Sequence, residues 1–169
     1  MKRIKKFAIA ALVLVGIQFI RPAKNIGPEP SPLAQAEPPP PELARLLDAA
    51  CYDCHSNRTR YPWYTEVQPI GWWLANRVIL GKGNVNFSTL GDAPLHRVIY
   101  KLDECIEEVT EREMPPISYR LTHPEARLTS EQVELLTDWF DEVKQRMIEK
   151  RKLSATTAGS AAEKTRPPP

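Results

Sequence analysis

Five consecutive residues, Cys51-Tyr52-Asp53-Cys54-His55, constrain this chain more than any other feature of its sequence. They end an apolar pattern that starts after Pro41 and consists of Leu43, Leu46, Leu47, Ala50, Cys51 and Cys54. Residues spaced in this way lie on one face of an α-helix, and proline suits the first turn of a helix. The pattern predicts a helix over Pro41–Cys54 that ends with two cysteines on its buried face and a histidine beside them.

The C-x-x-C-H spacing is the attachment signature of c-type haem. Two thiols three residues apart on a helix can reach the two vinyl groups at one porphyrin edge, and His55 then presents its imidazole to the iron. A redox disulfide is expected in a βαβ context, which the sequence lacks. A zinc site with Cys51, Cys54, His55 or Cys105 needs a second ligand pair, which is also missing. We therefore expect one covalent haem c on Cys51 and Cys54, with His55 as the proximal iron ligand.

The sixth iron ligand is less constrained, and its candidates are Met114, Met147, His96 and His123. Met114 is favoured because it precedes Pro115 and Pro116, which remove backbone donors and hold an extended segment. Met147 continues an apolar helical stripe, so we expect it in the core. His96 lies near a helix start, so we expect it at the surface. His123 is the histidine rival. A Met/His pair would raise the reduction potential, whereas an open position would permit peroxide or gas chemistry.

Three further helices are indicated. One covers Ile70–Leu80 with Gly81 as its C-terminal cap, and a second starts near Asp92. The third begins at Thr129, which with Gln132 forms a capping box. Because no segment alternates convincingly between apolar and polar residues, the predicted fold class is all-α: a cytochrome c-like helical domain around one haem.

Large aromatic side chains follow the C-x-x-C-H motif closely: Tyr61, Trp63, Tyr64, Trp72 and Trp73. A flat apolar macrocycle needs a wall of large side chains, and phenol or indole groups can hydrogen-bond its propionates. Nearby arginines can neutralise them: Arg58, Arg60 and Arg77. We take Tyr61, Trp63, Trp72 and Arg60 as candidate pocket residues, with ordinary core and surface positions as the alternative.

Residues 1–21 resemble an export segment. Four of the first six residues are Lys or Arg, and the apolar run Phe7–Ile20 follows, an arrangement that leaves the basic end in the cytoplasm. Fourteen helical residues cover about 21 Å, short of the ~30 Å hydrocarbon core, which favours a cleaved signal. The only small-residue cleavage site, Ala34-Gln35-Ala36, lies far downstream, which favours an uncleaved anchor. A cleaved signal and an uncleaved anchor both predict that the rest of the chain lies on the outer, periplasmic side of the membrane.

The rest of the chain divides by composition. Residues 22–41 hold eight of the 17 prolines and are predicted to form an extended spacer. Residues 42–150 form the predicted haem-binding domain, with ordered loops over 56–69 and 114–128. Residues 151–169 are predicted to be a disordered tail.

Charge is distributed unevenly along these segments. The formal charge of +2 conceals an acidic body, −5 over residues 42–150, between two basic ends. This distribution argues against nucleic acid as a partner. An acidic run precedes Met114: Asp103, Glu104, Glu107, Glu108, Glu111 and Glu113. It is either a solvated helix face or a docking patch for a basic redox partner.

The sequence resembles a family, the small bacterial haem-binding-domain proteins that are similar to cytochrome c. The resemblance covers about residues 42–142 and rests on CYDCHSNRTRYPWYTEVQPIGWWLANRVILGKGNVNFS and EMPPISYRLTHPEARLTSEQVELLTDW. It implies covalent haem on Cys51 and Cys54, His55 as axial ligand and Met114 as the second. It also implies a secreted or membrane-tethered protein, often with a stretch like Ile20–Asn25.

These features predict an exported monohaem cytochrome that transfers electrons and makes or breaks no bonds in a substrate, so we do not expect an enzyme. A haem-based sensor or a peroxidase-like enzyme, with a labile sixth position, is the alternative. Cys105 is expected to be a buried free thiol.

Overall fold

The computed structural model describes residues 2–28 and 32–164. Within these ranges the chain forms nine α-helices, two short 3₁₀ turns and no β-strand, which confirms the all-α prediction. The helices are α1 (Lys2–Ile17), α2 (Pro32–Ala36), α3 (Pro41–Ala50), α4 (Tyr52–His55), α5 (Ile70–Asn84), α6 (Phe87–Leu90), α7 (Leu95–Thr110), α8 (Ile117–Thr122) and α9 (Ser130–Lys164).

One hydrophobic core joins most of these helices. Helix α7 packs along α9, and α3 and α6 contribute to the same apolar cluster. The aromatic rings of Phe87 and Phe140 stack at its centre, with 6.0 Å between their centroids. Leu47, Leu102 and Val143 are fully buried there. Each such side chain contributes about 1.5–3 kcal/mol of burial free energy, so this cluster holds the site-bearing helices together.

The start of α9 is the capping box that the sequence predicts. The Thr129 backbone N–H donates to Gln132 Oε1 at 2.9 Å, and the Gln132 N–H donates to Thr129 Oγ1 at 3.2 Å. Two helix-end donors are satisfied reciprocally in this way.

The predicted continuous helix Pro41–Cys54 is wrong in one respect. The backbone leaves helical geometry at Cys51, where φ is −123°, and restarts as the single turn α4. The Cys51 carbonyl accepts from the N–H groups of both Cys54 and His55, at 3.2 and 3.0 Å. The motif therefore forms a separate hydrogen-bonded turn at the end of α3.

The predicted end of the next helix is also wrong. Helix α5 continues past Gly81 to Asn84. A glycine is present at position 81 because of a close contact with α4, described below, and not because the helix ends there.

Part of the proline-rich segment is packed, in contrast to the predicted extended spacer. Leu33, in α2, is 1% exposed and belongs to the central core cluster. Glu37 is buried and forms ion pairs with Arg146 and Lys150 of α9. Among the prolines lies a short helix that packs on the body through Leu33, and Glu37 directly after it pairs with α9. Residues 29–31, in the middle of the predicted spacer, lie outside the described residues.

Removing the Glu37 carboxylate should destabilise the fold. Burial alone would raise the pKa of Glu37, but hydrogen bonds from Lys150 and Arg146 hold it below the usual 4.5. We expect Glu37→Gln to lower the free energy of unfolding by about 1–2 kcal/mol at neutral pH. The stabilisation by Glu37 is complete above the unfolded-state pKa and is lost as the pH falls through the lower folded-state pKa.

Urea unfolding at neutral and acidic pH measures this difference. Glu142→Gln is the matched control, because Glu142 pairs with the same Arg146 at 2.9 Å but is 65% exposed. An exposed helix pair contributes about 0.3–0.5 kcal/mol. Equal destabilisation by both variants would contradict the prediction.

The C-terminal part differs from the predicted disordered tail, because α9 continues to Lys164. Residues 165–169 of that predicted tail lie outside the described residues. None of the helices in the described part of the chain combines the length and apolarity that a membrane crossing requires.

Candidate functional site

His55 is held in one orientation at the end of α4. Its Nδ1 lies 3.1 Å from the Val85 carbonyl oxygen, which only accepts hydrogen bonds, so Nδ1 carries the proton and donates. The ring also meets Phe87 edge-on, with centroids 6.4 Å apart. Burial lowers the pKa of His55, which favours the neutral ring. A neutral imidazole with its proton fixed on Nδ1 presents the Nε2 lone pair, as metal-binding histidines do.

The two motif cysteines flank the turn at which α3 ends. Both side chains are half-buried and unpaired thiols. Burial raises the pKa of Cys51 to about 12 and that of Cys54 to about 11, so both remain protonated at neutral pH. Zinc binds cysteine as the thiolate, whereas a completed thioether carries no charge. In residues 2–28 and 32–164 no three His, Cys, Asp or Glu side chains are grouped to hold a metal ion.

Gly81 allows α5 to lie directly against the motif. A Cβ at this position would lie 2.7 Å from the Cys54 carbonyl oxygen and 3.1 Å from the Cys54 Cβ. Contacts this short with backbone force one of the two helices to move. The absence of a side chain at Gly81 therefore fixes the distance between α5 and the turn that carries Cys54 and His55.

We expect Gly81→Ala to destabilise the protein by about 1–3 kcal/mol, the usual range for overpacking. Gly83→Ala is a matched control in the same helix, because nothing lies within 4 Å of a Cβ there. Alanine at that position should be neutral or stabilising by up to about 1 kcal/mol. Thermal unfolding of both variants measures the difference, and similar melting temperatures for the two would contradict this account of Gly81.

Asp53, inside the motif, is the centre of a buried polar cluster. Its carboxylate accepts from the Arg60 backbone N–H at 2.9 Å and from the Arg60 guanidinium at 3.2 Å. The Tyr119 hydroxyl donates to Asp53 Oδ2 at 2.7 Å. Two causes raise the pKa of Tyr119: burial, which is the larger, and this hydrogen bond. The structure thus places Arg60, a candidate haem-pocket residue, against a carboxylate of the motif and against Asp48.

The aromatic candidates for the haem pocket make other contacts within the chain. Residues 18–27, here called the strap, cross the face that carries Tyr61 and Trp72. The Trp72 Nε1–H donates to the Ile20 carbonyl at 2.8 Å, and the Tyr61 hydroxyl accepts from the Asn25 N–H at 2.6 Å. Trp63 is 80% exposed. Two of the three aromatic residues therefore bind the strap, and contact of any of them with a haem stays a prediction.

Met114 is half-buried in the loop after α7. Its backbone N–H donates to the Glu108 carbonyl at 3.1 Å. In the same loop the Arg112 guanidinium donates to the Leu128 carbonyl at 2.9 Å and to Ser130 Oγ at 3.1 Å. The loop is held at both ends, and the position of the Met114 sulfur relative to His55 stays a prediction.

Both ring nitrogens of His123 have partners. Nδ1 lies 3.0 Å from Thr122 Oγ1 and Nε2 lies 3.4 Å from the Tyr64 hydroxyl. The ring is buried and stacks on Tyr119 at 4.0 Å between centroids. These contacts weaken the case for His123 as an iron ligand. His96 is exposed, and Met147 packs against the core, as the sequence suggests.

Four residues of this region escape a sequence-based search: Asn25, Val85, Asp53 and Tyr119. Val85 acts through its carbonyl, which no residue type indicates. The proximity of Arg60 to Asp53 in the sequence is the only local signal for the buried carboxylate. Tyr119 and Asn25 lie far along the chain from the groups they bind.

An all-α domain with a C-x-x-C-H motif, in which an oriented histidine lies beside two thiols, has the pattern of a haem protein. Residues 12–142 match the haem-binding domain family, and the chain belongs to that family. No curated protein and no solved structure matches the chain. The family match includes the whole strap as well as the segment that carries Cys51, Cys54 and His55.

Proposed function

We propose that this haem-binding protein is an exported monohaem c-type cytochrome that transfers electrons. Cys51 and Cys54 would hold the haem through thioether bonds, His55 would ligate the iron, and Met114 would be the second axial ligand. The observation that carries the proposal is the hydrogen bond from His55 Nδ1 to the Val85 carbonyl, directly after the two cysteines of a C-x-x-C-H motif.

The residues present fit such a group. The Val85 hydrogen bond leaves Nε2 of His55 as the nitrogen available to a metal. In the core cluster that Cys51 packs against, the indole N–H of Trp139 is buried and has no hydrogen-bond partner among the described residues. A buried donor of this kind is costly unless it is satisfied, and a propionate or an ordered water would satisfy it.

Bound haem supplies one-electron redox chemistry; the chain supplies orientation and access. Val85 and Phe87 fix the imidazole plane of His55, and Gly81 fixes the approach of α5 to the motif. The Asp53–Arg60 contact holds the turn between the two cysteines to the loop that follows. A site with these parts restrains both attachment points and the axial ligand.

Spectra of the purified protein, with and without carbon monoxide, test the proposal. One covalent haem per chain, a long-wavelength band that marks methionine ligation in the oxidised form, and no carbon monoxide binding by the reduced form are expected. Rapid carbon monoxide binding would contradict electron transfer through a six-coordinate iron. It would favour the alternative, a haem-based sensor or a peroxidase-like enzyme.

A basic redox protein is the proposed partner. On α7, Asp103 pairs with Lys144 and Glu104 with Lys101. The remaining acids are exposed: Glu107, Glu108, Glu111 and Glu113. They form a patch that ends next to Met114, the proposed iron ligand.

Converting Glu107, Glu108 and Glu111 to Gln should slow association with a basic partner several-fold at low salt and weaken its salt dependence. A basic cytochrome c serves as the probe in stopped-flow electron transfer. The matched control removes three exposed acids of α9: Glu134→Gln, Asp138→Asn and Glu149→Gln. Equal effects of the two triple variants would show that association depends on the overall charge of the protein and not on this patch.

A further inference from the structure

The strap is an integral part of the domain. Every polar group of Asn25 is used: its N–H donates to Tyr61, its Nδ2 donates to the Ser56 carbonyl and to Thr59 Oγ1, both at 2.9 Å, and its Oδ1 accepts from Lys82 Nζ at 2.7 Å. Its carbonyl accepts from the Thr59 N–H at 2.9 Å. Ser56 and Thr59 lie in the loop directly after His55, so Asn25 holds that loop.

The end of α1 is tied to the same face. Gln18 and Gln68 exchange two hydrogen bonds, with Gln18 Nε2 donating to the Gln68 carbonyl at 3.2 Å and the Gln68 N–H donating to Gln18 Oε1 at 2.9 Å. Arg21 and Lys24 both pair with Glu66. The strap therefore joins α1 to the domain without a free spacer between them.

This arrangement decides between the two fates of the N-terminal segment. Cleavage after Ala36, the only site with small-residue spacing, would remove the strap and Leu33, which is 1% exposed in the core. Loss of a buried leucine leaves a cavity in that core and destabilises the fold. We infer that α1 is retained in the mature protein.

Exposed apolar side chains surround the end of α1. Phe19 and Ile20 of the strap are 83% and 61% exposed, and Val67, Ile70 and Trp73 of the domain are 42–44% exposed. The last three lie within five residues of Gln68 and Trp72, whose hydrogen bonds hold the strap. We call these five residues the collar.

We propose that the collar lies in the surface layer of a lipid bilayer that also takes up α1. This inference rests on the proposed export of the protein. After its basic first turns, from Phe7 onward, helix α1 is apolar on all sides and almost fully exposed, a pattern that soluble helices avoid. The apolar part of the helix, residues 7–17, covers about 16 Å, less than the ~30 Å apolar layer. The collar continues the apolar surface at the end of the helix, and tryptophan is enriched at that depth.

We assign this surface to lipid because the exposed side chains of the collar continue the apolar surface of α1, first along the strap and then on the adjoining part of the domain. A bilayer that receives the apolar helix necessarily brings its headgroup layer to Phe19 and Ile20. The hydrogen bonds of Gln18 and Ile20 to the domain bring Val67, Ile70 and Trp73 to the same level. The haem-binding body would sit directly on the membrane surface and not at the end of a tether.

Photocrosslinking tests both parts of the inference. The full-length, haem-loaded protein is reconstituted into phosphatidylethanolamine/phosphatidylglycerol vesicles that contain a lipid with a diazirine close to the glycerol end of one acyl chain. After photolysis, mass spectrometry maps the labelled peptides. Labels are expected on residues 19–20 and 67–73. Ile70→Ser/Trp73→Ser should lose the label on 67–73. The control Tyr100→Ser/Leu121→Ser, which removes two apolar groups that are more exposed than Ile70 and Trp73, should keep it.

Absence of label on 67–73 above the level at Tyr100 would overturn the collar. A mature N-terminus beyond residue 36 would overturn retention of α1. The haem content and spectrum of the same sample report on the proposed function separately. A correctly ligated haem without label on 67–73 refutes only the membrane surface, and a label on 67–73 with no covalent haem refutes only the cytochrome.

Discussion

The double substitution Cys51→Ala/Cys54→Ala is expected to abolish covalent haem attachment completely and to leave the helical body folded. The two thiols are the only groups of the motif that can form thioether bonds, and both lie at the turn between α3 and α4. Each cysteine side chain is only half-buried, so shortening it to the methyl group of alanine removes little packing. The intact mass of the denatured chain measures the loss: the wild type should carry one haem and the variant none.

Cys105→Ala is the matched control for this prediction. Cys105 is a half-buried free thiol that packs against the same core as Cys51, and burial raises its pKa to about 12. Its replacement should leave one haem per chain. Haem that stays attached to the denatured double variant would show that the motif is not the attachment site. Loss of haem from Cys105→Ala would place Cys105 among the attachment residues.

The features predicted correctly from the sequence are those that short segments determine. The Thr129–Gln132 capping box needs only four residues, and helical apolar spacing depends on neighbours within two turns. The haem-binding class, which the family match bears out, is likewise read from the short motif at 51–55, whereas the roles of its individual residues stay predictions. Such features are readable because the groups that interact are close in the chain.

The features missed depend on contacts between distant segments. Leu33 and Glu37 lie among prolines, which favour an extended chain, yet tertiary packing on α6 and α9 holds them in a short helix and its end. The sequence also did not reveal that the Arg60 guanidinium donates to the buried Asp53 carboxylate; contact of Arg60 with a haem stays a prediction. A buried charge without a partner is unfavourable, so the Arg60 contact stabilises the buried Asp53 carboxylate.

The strap is a further feature that depends on contacts between distant segments and that the sequence alone does not reveal. Asn25 is one of several polar residues after an apolar run, and nothing near it in the sequence indicates five hydrogen bonds to residues at 56–61 and 82. Its role appears only when the loop after His55 is placed beside it. This is why the first part of a segment predicted to be an extended spacer instead fixes the domain against its own N-terminal helix.

The second large effect is expected at Met114. With methionine as the sixth ligand, reduced iron has no position for carbon monoxide. Met114→Ala should therefore convert a protein that does not bind carbon monoxide into one that binds it stoichiometrically. The oxidised form should lose its long-wavelength band and the reduction potential should fall, since methionine ligation raises it. The loop should keep its course, because the Arg112 contacts and the Met114 backbone hydrogen bond do not involve the thioether.

His123→Ala separates this prediction from the rival ligand. Its ring nitrogens face Thr122 and Tyr64, and it stacks on Tyr119, whose hydroxyl binds Asp53. We expect His123→Ala to lower stability by about 1–3 kcal/mol through these lost contacts, and to leave the spectrum and carbon monoxide behaviour unchanged. A new carbon monoxide site in His123→Ala, with none in Met114→Ala, would assign the ligand to the histidine. The two variants together therefore decide which side chain occupies the sixth coordination position of the iron, independently of how each affects folding.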